Sequence, residues 1–90
     1  MIRAAMVVKG FVQGVGFRYF IYREATDIGV TGFVRNLWSG DVEIVAEGEE
    51  WQIEELHRKA KEGPMRSNVK SVTVIKEKAN NEFTKFEIRH

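Results

Sequence analysis

Three of the chain's eight glycines fall within nine residues, Gly10-Phe11-Val12-Gln13-Gly14-Val15-Gly16-Phe17-Arg18, and this stretch constrains the fold more than any other. Ahead of it, Met6, Val7 and Val8 read as a strand. Behind it, Phe17, Ile21, Ala25 and Ile28 recur at steps of four, four and three, which is one face of a helix. The backbone therefore has to pass from extended chain to helix within a few residues. Gly14 and Gly16 permit the positive φ that such a turn demands.

The same residues suit an anion. Successive N–H groups in a glycine turn can converge into a nest, and the first four N–H groups of a helix lack intrahelical partners. Ser, Thr, Asp or Asn ordinarily caps them, yet none occurs from Gly10 to Ile21. Arg18 sits at the positive end of the helix dipole, where a cation is disfavoured. An anion held by the bare amides and by Arg18 accounts for both features. The plainer alternative is a solvated glycine turn with an exposed arginine, and Asp27 also sits against the dipole.

The rest of the chain alternates between the two periodicities. The first strand spans Arg3 to Val12 and the first helix Arg18 to Ile28, with Gly29 placed for a left-handed C-terminal cap. Thr31 to Arg35 is a second strand. Asn36 to Asp41 is a turn, and Asp41 to Glu47 a half-buried third strand with Val42, Ile44 and Ala46 on one face. The short connection makes these two strands a hairpin. Glu49 and Glu50 open a second helix with the charge its N-terminus prefers, Ile53, Leu56 and Ala60 form its core stripe, and Gly63-Pro64 stops it. Glu54 with Arg58 and Glu55 with Lys59 are expected surface pairs. Val69 to Ile75 is a fourth strand, Ala79-Asn80-Asn81 a turn, and Phe86 and Ile88 mark a short last strand.

Composition narrows the function classes. Ninety residues make one domain, residues 1–90. The absence of cysteine excludes disulfides, thiolate metal sites and a cysteine nucleophile. Neither His57 nor His90 stands at a metal-ligand spacing. Fourteen basic and thirteen acidic residues are interspersed, giving a formal net charge of +1, which argues against nucleic acid as a partner. No apolar run approaches the ~20 residues that span a bilayer, and the five-residue run near the N-terminus is short for a signal peptide. A cytoplasmic protein without a membrane partner is expected, and a monomer, since the edge strands give no dimer signal.

The element order, β-α-β-β-α-β with an extra C-terminal strand, is the ferredoxin-like, split β-α-β plan of an α+β protein. It places two helices on one face of a four- to five-stranded antiparallel sheet. Strands one and two run in the same direction in this plan. The glycine loop and Asn36 therefore lie at the same end of the sheet. A neutral carboxamide there can hold a water, although turn chemistry is the commoner reason for an asparagine. Trp38 either rims that end or packs the turn.

Here the chain resembles the acylphosphatase family. Val8-Lys9-Gly10-Phe11-Val12-Gln13-Gly14-Val15-Gly16-Phe17-Arg18 matches that family's first signature. Gly32-Phe33-Val34-Arg35-Asn36, followed by Gly40, Val42 and Gly48, matches the second at the same spacings. Gly63-Pro64 and Val69 extend the similarity, which covers essentially the whole chain. Phe11 departs from the pattern, since many members carry a basic or polar residue there.

The resemblance implies hydrolysis of the carboxyl–phosphate bond of small-molecule acyl phosphates, with inorganic phosphate as product and competitive inhibitor. It implies phosphate binding by the amides of Gln13, Gly14, Val15, Gly16, Phe17 and Arg18, catalysis by the Arg18 side chain, and a water held by Asn36, with no metal and no cofactor. Two other classes remain in view. Acylphosphatase-like domains also occur inside larger proteins that handle carbamoyl phosphate, where the cradle would serve one particular ligand. A nucleic-acid-binding ferredoxin-like domain would use Phe11, Phe33 and Trp38 as stacking surfaces.

Overall fold

The computed structural model describes every residue from Met1 to His90. Its elements follow the order expected: β1 (Ile2–Phe11), α1 (Phe17–Ile28), β2 (Thr31–Asn36), β3 (Val42–Gly48), α2 (Glu50–Glu62), β4 (Asn68–Lys78) and β5 (Phe86–Arg89). They form one five-stranded sheet in the order β4-β1-β3-β2-β5. The α+β, ferredoxin-like plan holds, with both helices contributing to one core beneath the sheet. Phe17, Ile21 and Ala25 of α1 and Ile53, Leu56 and Ala60 of α2 are buried there with Ala4, Met6 and Val8 of β1 and Val42, Ile44 and Ala46 of β3. No helix is long and apolar enough to cross a membrane.

One feature of the sheet corrects the sequence reading. The sheet is mixed rather than antiparallel. β1, β2, β3 and β4 pair antiparallel throughout, but β5 runs parallel to β2, with Gly32 opposite Phe86 and Arg35 opposite Arg89. The cause is where β4 ends. Its last residue, Lys78, lies opposite Ile2, the start of β1. The chain therefore leaves β4 at the sheet end remote from the glycine loop and crosses to the other edge. From there it can only run back toward the loop, which is the direction of β2. β4 also continues three residues beyond Ile75, through Lys76-Glu77-Lys78, where charge has replaced apolar alternation; the edge position tolerates this.

The helix ends are built from local chemistry. Gly29 closes α1 in the left-handed conformation at φ 98°, its N–H donating to the Ala25 carbonyl at 2.9 Å. α2 starts with a reciprocal capping box between Glu49 and Gln52. Gln52 also donates its Nε2 to the Ile28 carbonyl at 3.0 Å, which ties the start of α2 to the end of α1. The expected pairs on α2 are replaced. Arg58 forks onto Glu55 and reaches Glu62, while Lys59 turns toward Glu24 on α1. A planar guanidinium that can bind one carboxylate twice takes Glu55 from Lys59.

The segment from 79 to 85, crossing between sheet edges, folds against the sheet face opposite the helices. Arg3 bonds Glu82 at 2.6 Å and Glu47 at 3.4 Å, and the Asn80 N–H donates to Glu47 at 3.1 Å. Phe83 meets Phe33 edge-on at 5.9 Å between centroids. Phe17 holds the other end of the molecule. It is buried at the first position of α1, so truncation to Ala is expected to cost about 3–5 kcal/mol and to loosen the loop that precedes it.

Candidate active site

Topology gathers the site. β1 and β2 are both antiparallel to β3, so both point their C-terminal ends the same way; β5, parallel to β2, shares that end. The loop after β1, Asn36 at the close of β2, and the residue after β5 therefore meet. The register puts Arg89 beside Arg35, so one residue further His90 comes level with Asn36.

The loop has the form the glycines suggested. Gly14 and Gly16 adopt φ 77° and 79°, and Gly16 is the N-cap of α1 with no side-chain capping bond. No amide from Gln13 to Arg18 makes a well-formed hydrogen bond to a protein oxygen; Phe20 is the first to do so, onto the Gly16 carbonyl at 3.0 Å. A Cβ at Gly14 or Gly16 would meet nothing within 4 Å. It is the positive φ, not crowding, that calls for glycine there.

A cavity of about 380 Å³ opens over this loop. Gly14, Gly16, Phe17, Arg18 and Asn36 line it together, with Val12, Tyr19, Ile88 and His90 completing the wall. Of the residues anticipated from the sequence, the cavity omits two. The Val15 side chain packs half-buried against the core. Gln13 lines an adjoining cavity of about 310 Å³ with Asn36, Leu37, Trp38 and His90. Its Nε2 donates to the Leu37 carbonyl at 2.8 Å and the Asp41 carbonyl at 2.9 Å, so it clamps the turn after Asn36. The side chain of Trp38 is fully exposed, which removes the reading that it packs the turn.

Electrostatically, Arg18 is the cation of the cavity. Its Nη1 donates to the Arg89 carbonyl at 3.2 Å and to His90 Nδ1 at 3.0 Å, and it meets no Asp or Glu side chain. Neighbouring cations are neutralised: Lys9 pairs with Asp41 at 2.7 Å and Arg35 with Glu43 at 2.6 Å. The Lys9 ammonium, by direct hydrogen bonding, holds the Asp41 carboxyl below the usual carboxylate range. The Asn36 carboxamide takes no part in the side-chain bonds around the cavity, which run from Gln13 and Arg18. No group of three or more His, Asp or Glu side chains is placed to hold a metal ion.

Sequence reasoning missed His90 and the side-chain role of Gln13. The first was hidden because its place depends on the direction of β5. The exit of β4 at the far sheet end is the signal that would have revealed it.

Comparison with known proteins bears on this arrangement. A family profile described as Acylphosphatase matches residues 4–88. The acylphosphatase of Caldivirga maquilingensis is 49% identical over 90 residues, covering 99% of this chain and 95% of the relative. The crystal structure of acylphosphatase from Bacillus subtilis superposes with a TM-score of 0.97 at 36% identity, covering all of both chains. Full-length HypF in its phosphate- and nucleotide-bound form contains a similar region, with a TM-score of 0.84 at 32% identity, covering all of this chain but 12% of that one. With the glycine loop, Arg18 and Asn36 gathered at one sheet end, the chain belongs to the acylphosphatase family, hydrolases that act on acyl phosphates.

Proposed function

We propose that the chain hydrolyses acyl phosphates by in-line attack of water on a phosphoryl group held in the loop, with Asn36 positioning the water. The observation that carries this reading is that Arg18, Asn36, Gly14 and Gly16 line one cavity, at a loop whose amides make no well-formed bond to a protein oxygen.

In the reaction, the water oxygen forms a bond to phosphorus as the bond from phosphorus to the acyl oxygen breaks. The leaving carboxylate takes that electron pair, and the water loses its proton to solvent or to a phosphoryl oxygen. A carboxylate is weakly basic, so its departure needs little acid assistance. Phosphoryl transfer passes through a loose transition state in most analyses, so the water needs no strong base. Positioning and charge stabilisation remain as the protein's tasks.

Arg18 suits the second task. Both hydrogens of Nη1 are engaged by Arg89 and His90, which leaves the Nε–Nη2 edge as a two-donor fork for two phosphoryl oxygens. The loop amides suit the remaining oxygens. The Asn36 carboxamide, with a donor and an acceptor, can orient a water toward phosphorus.

Release of phosphate from benzoyl phosphate in EDTA tests the reading. The parent is expected to turn over. Arg18→Ala is expected to lose roughly 10³-fold or more, as arginines acting on transferring phosphoryl groups contribute roughly 10³–10⁵. Parental turnover by the folded Arg18→Ala protein would refute it.

A further inference from the structure

We infer that the acyl group lies in a groove along the exposed face of α1, where Arg23 selects acyl phosphates that carry a second anionic group. This rests on the in-line reading above and names the substrate class for the same site.

The in-line requirement sets the direction. The attacking water and the leaving carboxylate stand on opposite sides of phosphorus. With the water at Asn36, the acyl group points away from Asn36. Two spaces adjoin the cavity over the loop. One lies at Asn36 and includes Gln13, Leu37 and Trp38, which is the side of the water. The other, a groove of about 320 Å³, shares Gly16 and Tyr19 with the cavity and has no residue in common with the first. It runs along α1 past Phe20, Arg23 and Glu24, with Pro64 on its rim.

The groove holds a guanidinium that no carboxylate takes. Arg3, Arg35, Arg58 and Arg89 each pair with a Glu side chain. Arg23 makes no ion pair, and Glu24 reaches Lys59 at 3.8 Å instead. Asp27 is one turn further on, yet Arg23 lies over the Tyr19 ring, 6.0 Å from its centroid. Helical side chains lean toward the N-terminus, so this position brings the charge back toward the loop. Tyr19 is braced in turn by stacking on the half-buried Tyr22 at 6.3 Å. The Arg23 Cα stands seven residues beyond Gly16, roughly 10 Å along the helix axis. The backward lean shortens that span to one a short acyl chain can cross. Asp27 bounds the groove beyond Arg23 with negative charge, so an anion is favoured beside Arg23 and repelled if placed deeper.

Hydrolysis of succinyl phosphate and benzoyl phosphate, measured side by side, tests the inference. The two share the phosphoryl group, and only the first carries a second carboxylate. Arg23 is exposed, so its replacement leaves the core intact. In Arg23→Gln, kcat/KM for succinyl phosphate is expected to fall about fivefold relative to that for benzoyl phosphate, the upper reach of an exposed ion pair. Arg23→Glu is expected to widen the fall, because attraction becomes repulsion. Added salt is expected to lower the parent's succinyl-to-benzoyl ratio and to leave that of Arg23→Gln nearly constant. A parental ratio in both variants, or an equal loss on both substrates, would overturn the inference. Arg18→Ala separates the two levels. If it loses turnover of both substrates while the Arg23 variants keep the parental ratio, only the acyl groove fails. If Arg18→Ala keeps parental turnover, the phosphoryl cradle fails as well.

Discussion

Gln13 donates from its Nε2 to the main-chain carbonyl of Leu37 at 2.8 Å, and this bond makes the glycine loop and the turn after Asn36 one mechanical unit. The same nitrogen reaches the Asp41 carbonyl at 2.9 Å, across a turn already closed by the Leu37 N–H on Asp41 at 2.9 Å. Gln13→Leu removes both donations and keeps the bulk. Its expected cost is about 1–3 kcal/mol in urea denaturation, since each bond contributes about 0.5–1.5 kcal/mol net. The expected loss in kcat is larger, about tenfold, because a displacement of about 1 Å at a positioning group can cost about 10²-fold. If the loop amides and Arg18 hold phosphate as proposed, phosphate inhibition is expected to change less than kcat.

His57 gives stability a pH dependence separate from the active site. Burial, with Lys61 and Lys76 adding repulsion, pushes its imidazole below histidine's ordinary range, and its Nε2 is buried without a partner. The folded state therefore binds that proton less readily than the unfolded state. Stability is expected to fall as pH drops through histidine's unfolded range, near 6.5, and to recover above it. The lowered carboxyls of Asp41, Glu55, Glu82 and Glu87 act at more acidic pH, below their ordinary values near 4. Melting temperatures between pH 5 and 7.5 therefore lie above the carboxyl range, and a His57 variant measured beside the parent picks out this histidine. His57→Gln is expected to flatten that dependence, and an equal slope in the two proteins would contradict the assignment.

The acid–base pair on the other sheet face supports the crossing that delivers β5. Glu47 is 3% exposed and accepts from Arg3 and from the Asn80 N–H, so it ties β3 to the segment leading to β5. Arg3→Met leaves this carboxylate with the amide alone. The expected loss is roughly 2–3 kcal/mol, at or below the usual 3–5 kcal/mol for breaking a buried pair, because Arg3 lies partly at the surface. Replacing both residues by apolar ones of similar size is expected to restore part of it. Chemical denaturation of the three proteins measures the difference.

What was legible in the sequence is what local chemistry determines. The core face of α1, its glycine cap, the alternation of β3 and the charged start of α2 all follow from spacing within a few residues. So did the glycine loop and its uncapped helix, the strongest pointer to the site. The direction of β5 was not local. It follows from where β4 leaves the sheet, and β4 outran its own apolar pattern by three residues under the guidance of β1. His90 was lost with it. The ion pairs of Arg58 were misjudged because spacing alone cannot weigh the bidentate preference of a guanidinium against two equidistant partners. Trp38 shows the reverse limit: a large aromatic beside a candidate catalytic residue carries no signal of burial or exposure until the turn around it is seen.

Hydrolysis of benzoyl phosphate by Asn36→Ala, measured in EDTA with inorganic phosphate as competitor, tests the central claim most directly. If Asn36 positions the water while the loop and Arg18 hold the phosphoryl group, kcat falls by roughly 10²-fold or more, the cost of a misplaced reacting group. Phosphate then inhibits the variant about as well as the parent. Parental kcat in the folded variant, or loss of phosphate inhibition along with activity, would contradict that division of labour.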